Sequence, residues 1–270
     1  MLSKAKLKEL GKLKAKKERT AQGKFLIEGL RLCEEAAASS WSIELALFTR
    51  SFGEKAREKT LLKRLHSSGV ESIVVKSQDL ARLSDTVTAQ GIICLVKAKQ
   101  PSLDDLWIKD RLSASKSQVV LALEGISDPG NVGTLIRTAD AFGVAAVLLS
   151  LDAVELYNPK VIRSTMGSVF HLPIFDEINL ERVIPQMKKT NFLILGTHVT
   201  QGKGARQVRP SRRTCLLIGS EAKGLSRRLI GLSDELIHIP SPGKAESLNV
   251  AVAGGILLYE ITGRQRHNRA

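Results

Sequence analysis

The chain has 270 residues, 43% of them hydrophobic and 25% charged, enough for two modest soluble domains, each burying its own core. No apolar run approaches the roughly 20 residues of a membrane span, and the charged N-terminus lacks the apolar stretch of a secretory signal. The net charge of +14 is clustered, and clusters of this kind suit a polyanion such as RNA, or else form an ordinary solvated surface. Residues 1–24 hold nine Lys or Arg against Glu9 and Glu18; Lys12, Lys16, Lys17 and Arg19 among them are the expected RNA contacts. A second cluster is Lys203, Arg206, Arg209, Arg212 and Arg213, and a third is Arg264, Arg266 and Arg269. Cys33, Cys94 and Cys215 are few, odd in number and dispersed, so neither a disulfide framework nor a zinc site is indicated. They read as buried thiols in a reducing compartment, the cytoplasm.

In chain order, the first segment reads as one helix with a thin stripe of Leu2, Leu7, Leu10 and Leu13. Such a helix buries little, which leaves open whether it is ordered without RNA. Phe25–Ile27 reads as a strand, Leu30–Ala38 as a helix, Ile43–Phe48 as a strand, Glu54–His66 as a helix, and Val70–Val75 and Gln90–Val96 as strands. This alternation predicts a small α/β unit. The pattern breaks over residues 98–117, which contain Pro101, serines and charges, with a short helix around Leu103–Trp107 left open. The division is therefore residues 1–98, a linker at 99–116, and a second domain at 117–270.

The second domain alternates more clearly. Val119–Leu123 is a short apolar run, Pro129-Gly130 a turn, and Asn131 a credible N-cap for the helix that Gly143 ends. Val144–Leu149 reads as a strand and Pro159–Met166 as a helix with proline at an early position. Phe192–Leu195, Cys215–Ile218 and Leu236–Ile239 read as strands, and Glu246–Thr262 as the final helix. Apolar strands separated by helices predict a parallel sheet covered on both faces.

Common nucleotide signatures fail. The segment Gly219 to Gly224 begins like a P-loop, but Leu225 stands where lysine is required, and Gly202 and Gly204 lack a third glycine at Gln207. The five histidines have no ligand spacing, so no metal is expected. Three other segments each close a strand: Glu124 to Gly133 continuing to Arg137, Leu217 to Leu225, and Ile239 to Gly243 running to Ser247-Leu248-Asn249-Val250. Glycine and proline at strand ends let backbone approach a ligand closely, and ligands of open α/β sheets lie beyond the carboxyl ends of strands. Three such loops can line one pocket.

These segments resemble, in order and spacing, the three motifs of the SpoU (TrmH-like) family of SPOUT RNA 2′-O-ribose methyltransferases. N-x-G-x-x-x-R appears as Asn131, Gly133 and Arg137; G-x-E-x-x-G-L as Gly219, Glu221, Gly224 and Leu225; and I-P followed by S-L-N-V is complete. The likeness covers roughly residues 117–264. More weakly, the first hundred residues resemble the ribosomal-protein-L30-like (L30e-like) RNA-binding domain often joined to this family. The resemblance implies an α/β SPOUT domain with a parallel sheet and a C-terminal trefoil knot, plus a smaller N-terminal α/β L30e-like domain. It also implies S-adenosylmethionine as methyl donor, contacted by Thr197, Gly219, Ile239 and Leu248, with Gly196 and Ser247 nearby. A homodimer is implied too, with the site at its border. Independently, Val250–Leu258 is apolar nearly all round, which fits either an intradomain core or a dimer seam.

By the same resemblance Arg137 faces the ribose hydroxyl. An arginine is effectively always protonated, so it serves better as a cation stabilising a developing alkoxide than as a base; otherwise it is a surface residue paired with Asp140. Asn131 is assigned to orienting the Arg137 segment, Glu221 to positioning Arg137 or the partner chain, and Ser247 and Asn249 to the opening of the last helix, where plain capping is the other reading. Arg163, beside Asn158-Pro159-Lys160, is a further RNA-contact candidate. The expected activity is RNA ribose 2′-O-methylation, most simply of ribosomal RNA. The alternatives are transfer RNA as target, or a noncatalytic RNA-binding assembly factor.

Overall fold

The computed structural model describes residues 2–86, 89–101 and 118–267, with residues 266 and 267 described by backbone only. Most of the expected linker, including Leu103–Trp107, and the tail residue Arg269 lie outside the described residues, as does the side chain of Arg266. The chain divides into two compact units, Met1–Lys99 with Tyr157–His171, and Gln100–Leu156 with Leu172–Ala270.

The first unit is built on a four-stranded sheet of β1 (Lys24–Glu28), β2 (Ile43–Thr49), β3 (Glu71–Val75) and β4 (Ile92–Lys97), in the order β1-β4-β2-β3. β4 runs antiparallel to both β1 and β2, while β2 and β3 are parallel. The N-terminal segment is not one helix but two, α1 (Lys4–Lys12) and α2 (Lys16–Gln22). The break has a physical cause. The Arg19 guanidinium donates to the carbonyls of Leu13 (2.8 Å) and Lys14 (2.7 Å), which leave the helical ladder. Nor does this segment bury little: Leu10 and Leu13 are each 2% exposed and pack with Leu45, Leu47 and Leu80. Burying two leucines contributes about 1.5–3 kcal/mol each, which fastens α1 to the sheet without RNA.

Between the strands lie α3 (Leu30–Ala38), α4 (Ala56–Ser67) and α5 (Ser77–Leu83). The late segment belongs to this unit through Tyr157, whose ring stacks on Phe25 (centroids 4.5 Å apart, 30° between planes). The Tyr157 hydroxyl donates to the Lys99 carbonyl (2.5 Å) and accepts from the Lys99 amide (3.0 Å). Phe170 meets Trp41 edge to face at 5.3 Å.

The second unit is a seven-stranded, wholly parallel sheet in the order β7-β6-β5-β10-β8-β11-β9. Its strands are β5 (Gln118–Leu123), β6 (Ala146–Ser150), β7 (Ile174–Ile178), β8 (Leu193–Thr197), β9 (Lys203–Gly204), β10 (Arg213–Ile218) and β11 (Glu235–His238). Every residue of β5 and β6 is buried, as a parallel sheet covered on both faces requires. The helices of this unit are α6 (Pro129–Ala141), α8 (Leu180–Lys189), α9 (Arg227–Leu232) and α10 (Val250–His267); α7 (Pro159–Thr165) belongs to the first unit. One core forms where Val183, Ile184 and Met187 of α8 meet Val120, Leu148 and Leu217 of the sheet. α10 lies close on α6: a Cβ on Gly254 would stand 2.3 Å from Leu135 Cδ2 and 3.0 Å from Ile218 Cδ1.

Two helix boundaries differ from the sequence expectation. Asp128, not Asn131, caps α6: its Oδ1 accepts from the Asn131 amide at 2.9 Å and Pro129 occupies the first turn. The last helix starts at Val250 rather than Glu246, with Asn249 Oδ1 accepting from the amides of Ala251 (2.9 Å) and Val252 (3.3 Å).

Candidate functional site

Four neighbouring strands of the second unit, β5, β10, β8 and β11, end on one side of the sheet, where parallel sheets hold their ligands. The loops that leave β8, β10 and β11 enclose a cavity of about 440 Å³. Thr197, Gly219, Glu221, Ile239, Ser247 and Leu248 all line it. Gly196 does not: a Cβ there would meet Ser233 Oγ at 2.4 Å, so its smallness serves the packing at the end of α9.

The β10 loop is a tight fold. The Gly224 amide donates to the Ser220 carbonyl at 2.8 Å, and Gly224 takes φ +64°, which favours glycine. Gly219 answers a different demand. A Cβ on it would lie 2.0 Å from the Gly224 carbonyl carbon and 2.2 Å from the Leu225 nitrogen. The loop therefore closes only where residue 219 has no side chain.

Because Asp128 caps α6, the Asn131 side chain is free for another task. Its Nδ2 donates to Glu221 Oε1 at 2.5 Å, and its Oδ1 accepts from Asn249 Nδ2 at 3.1 Å. One hydrogen-bonded chain, Asn249 to Asn131 to Glu221, thus joins all three loop segments, with Asn249 spending its own oxygen on the α10 amides. Ser247 is exposed on the cavity wall. Arg137 is exposed on α6, with no hydrogen bond or ion pair to a described residue; the pairing with Asp140 does not form.

Sequence reasoning passed over several residues here. Glu124 Oε2 accepts from the Ser226 amide at 2.7 Å, binding the first loop to the start of α9; an acid at a strand end gives no signal for this. Ser150 Oγ accepts from the Gly125 amide (2.9 Å) and donates to Asp152 Oδ1 (2.5 Å), holding the first loop from its other side. The cavity is also lined by His198, His238, Lys223 and Glu246. His238 Nδ1 is buried without a hydrogen-bond partner among the described residues, and a buried polar atom of that kind is best met by a ligand or water.

Of the expected RNA contacts, Lys12, Lys16 and Lys17 are exposed on the α1–α2 segment and Arg163 is half-buried in the last turn of α7. Arg19 is a correction. It is 5% exposed and its guanidinium is committed to the Leu13 and Lys14 carbonyls, so it builds the helix turn rather than offering charge to a phosphate.

Comparison with known proteins adds the following. The model of the SpoU rRNA Methylase family matches residues 118–259, and that of the MRM3-like substrate binding domain matches residues 4–94. The 23S rRNA (guanosine(2553)-2′-O)-methyltransferase RlmP of Bacillus subtilis is 32% identical, over 96% of each chain. The SpoU methyltransferase AviRb of Streptomyces viridochromogenes, solved with the cofactor AdoMet, superposes with a TM-score of 0.86 at 27% identity, over 98% of this chain and 99% of its own. An AdoMet-bound rRNA methyltransferase of Sinorhizobium meliloti gives a TM-score of 0.84 at 26% identity, over 99% of this chain and 96% of its own.

Proposed function

Since the chain belongs to the SpoU rRNA Methylase family, we infer that it is an RNA methyltransferase which moves a methyl group from S-adenosylmethionine to a ribose 2′-hydroxyl. The observation that carries this reading is the hydrogen-bonded chain Asn249–Asn131–Glu221 beside a cavity walled by the β8, β10 and β11 loops.

The residues present fit the donor. The wall combines buried Ile218, Leu225 and Ile237, suited to a purine nucleoside, with His238 Nδ1, which has no partner among the described residues, and an exposed, charged rim. Thr197, Gly219, Ile239 and Leu248 would hold it. Bound there, it supplies a methyl group already activated on a positively charged sulfur. The protein must then align one ribose oxygen, a task that positioning alone can accelerate greatly. Arg137 places a fixed positive charge beside that oxygen as it loses its proton, which passes to a phosphate or to water. Asn131 fixes the first turn of α6, six residues before Arg137, and Glu221 and Asn249 hold Asn131.

The first unit, Met1–Lys99 with Tyr157–His171, serves as the RNA-binding part, with Lys12, Lys16, Lys17 and Arg163 on the phosphate backbone; its L30e-like character is part of this reading. Ribosomal RNA is the substrate, a choice supported by the 23S rRNA methyltransferase that matches along nearly the whole chain. A C-terminal trefoil knot is supported by strand order: β10 lies between β5 and β8, and β11 lies outside β8. A homodimer is supported by the outer face of α10, where Val252, Ile256 and Tyr259 are 52%, 38% and 65% exposed while Leu257, Leu258 and Ile261 on the opposite face are buried. An exposed apolar stripe on a buried helix marks a contact surface. The cytoplasm, where ribosomal RNA is, is the assigned compartment; no described helix is long and apolar enough to cross a membrane. Isothermal titration with S-adenosylmethionine tests the reading: saturable binding of one donor per chain is expected, and absence of binding would point instead to a noncatalytic RNA-binding factor.

A further inference from the structure

The charged rim of the cavity has an uneven composition. Glu221, Lys223 and Glu246 are its acidic and basic lining residues, all three exposed. Glu221 is committed, since Asn131 Nδ2 donates to it at 2.5 Å. Glu246 and Lys223 have no side-chain hydrogen bond or ion pair with any described residue, and none with each other, although both line the same opening. Two opposite charges that share a rim without pairing leave room for a ligand carrying both signs.

We propose that Glu246 receives the α-ammonium and Lys223 the α-carboxylate of the methyl donor's amino-acid tail, so that these two side chains read the zwitterion while the apolar wall reads the nucleoside. The proposal rests on the donor assignment above and deepens it. Orientation follows from burial. Ile218, Leu225 and Ile237 are 3%, 6% and 1% exposed, so the apolar end of the donor belongs in the depth and its charged tail at the mouth, where desolvation is cheapest.

Charge balance supports the same arrangement. The donor carries a sulfonium, an ammonium and a carboxylate, a net of about +1, and it approaches a chain whose own net charge is +14. Two carboxylates against one lysine make this mouth locally negative within a basic protein, which favours a cationic ligand. Methyl transfer leaves a neutral thioether, so the product keeps its tail contacts but loses the attraction of its sulfur to the carboxylates. The site is thereby biased to release product and take up fresh donor.

The test is isothermal titration of the full-length protein with four ligands: S-adenosylmethionine, decarboxylated S-adenosylmethionine, S-adenosylhomocysteine and 5′-methylthioadenosine, which lacks the tail. Thermal melting of each variant checks folding. Glu246→Gln should weaken S-adenosylmethionine and its decarboxylated form, each by roughly tenfold or more, the size expected for losing one charge-assisted contact. Lys223→Gln should weaken S-adenosylmethionine and S-adenosylhomocysteine similarly while leaving the decarboxylated form unchanged. Neither variant should alter 5′-methylthioadenosine. Equal weakening of 5′-methylthioadenosine, or unchanged binding of S-adenosylmethionine by both variants, overturns the proposal. Failure of the wild-type protein to bind S-adenosylmethionine would instead overturn the donor assignment on which it rests.

Discussion

Gly219→Ala is the substitution whose outcome the geometry fixes most tightly. The added methyl would sit 2.0 Å from the Gly224 carbonyl carbon, 2.2 Å from its oxygen and 2.2 Å from the Leu225 nitrogen. All three are backbone atoms, so no side chain can swing aside, and either β10 or the 219–225 loop must shift by more than about 1 Å to restore ordinary contact at 3.4 Å or beyond. Overpacking of this kind costs about 1–3 kcal/mol, which for a chain of this size lowers Tm by roughly 2–12 °C. The loop also walls the cavity, so affinity for S-adenosylmethionine should fall along with stability. Gly231→Ala provides the matched control. Gly231 is exposed within α9 and a Cβ there meets nothing within 4 Å, so alanine should stabilise by about 0.5–1 kcal/mol. Differential scanning calorimetry and donor titration on both variants decide the matter. Wild-type Tm and wild-type donor affinity in Gly219→Ala would refute the claim that the second loop closes on a bare Cα.

Three further outcomes follow from other parts of the molecule. Arg137→Ala should lower kcat about a hundredfold to a thousandfold with donor affinity and Tm unchanged, because the side chain has no partner among the described residues; a lost fold or lost donor binding would deny it a chemical role. Replacing Lys12, Lys16 and Lys17 together by glutamine should flatten the salt dependence of RNA binding, each lost phosphate contact taking about 0.7–0.9 off the log–log slope, whereas Leu10→Ala should destabilise the first unit by about 2–5 kcal/mol. Burial pushes the Cys33 and Cys215 thiols above their ordinary range. A raised folded pKa leaves stability level below the unfolded value near about 8.5 and erodes it at higher pH, by up to about 1.4 kcal/mol per pH unit for each thiol. Denaturant melts between pH 7 and 10 measure this, and a flat profile would contradict the burial of these groups as neutral thiols.

Much of the catalytic unit was legible because buried parallel strands write themselves as unbroken apolar runs: β5, β6 and β10 fall where such runs occur. The three loops were legible through glycine, proline and short polar residues at strand ends. The rest was hidden for identifiable reasons. β7 mixes Asp176 and Glu177 into a five-residue strand, and α8 carries Pro185 inside it, so neither presents its period. Asp128 and Asn131 are both good N-caps three residues apart, and Pro129 decides between them by taking the first helical turn. That choice releases Asn131 to reach Glu221, ninety residues on, a contact no local pattern encodes. Arg19 looked like one more cation in a basic run, and only its fold-back onto the Leu13 and Lys14 carbonyls separates it from Lys16 and Lys17. Glu246 sat in a stretch that read as helix but is a cavity-lining loop.

The most direct measurement is methyl transfer itself. Tritium-labelled S-adenosylmethionine is incubated with the protein and ribosomal RNA lacking its native modifications, and the RNA is then hydrolysed with alkali. A 2′-O-methyl group blocks cleavage at its own phosphodiester, so label recovered in alkali-resistant dinucleotides, and formed about a hundredfold to a thousandfold more slowly by Arg137→Ala, is the predicted result. Label appearing in free mononucleotides, or no label in RNA at all while the donor still binds, would contradict a ribose hydroxyl as the acceptor at this site.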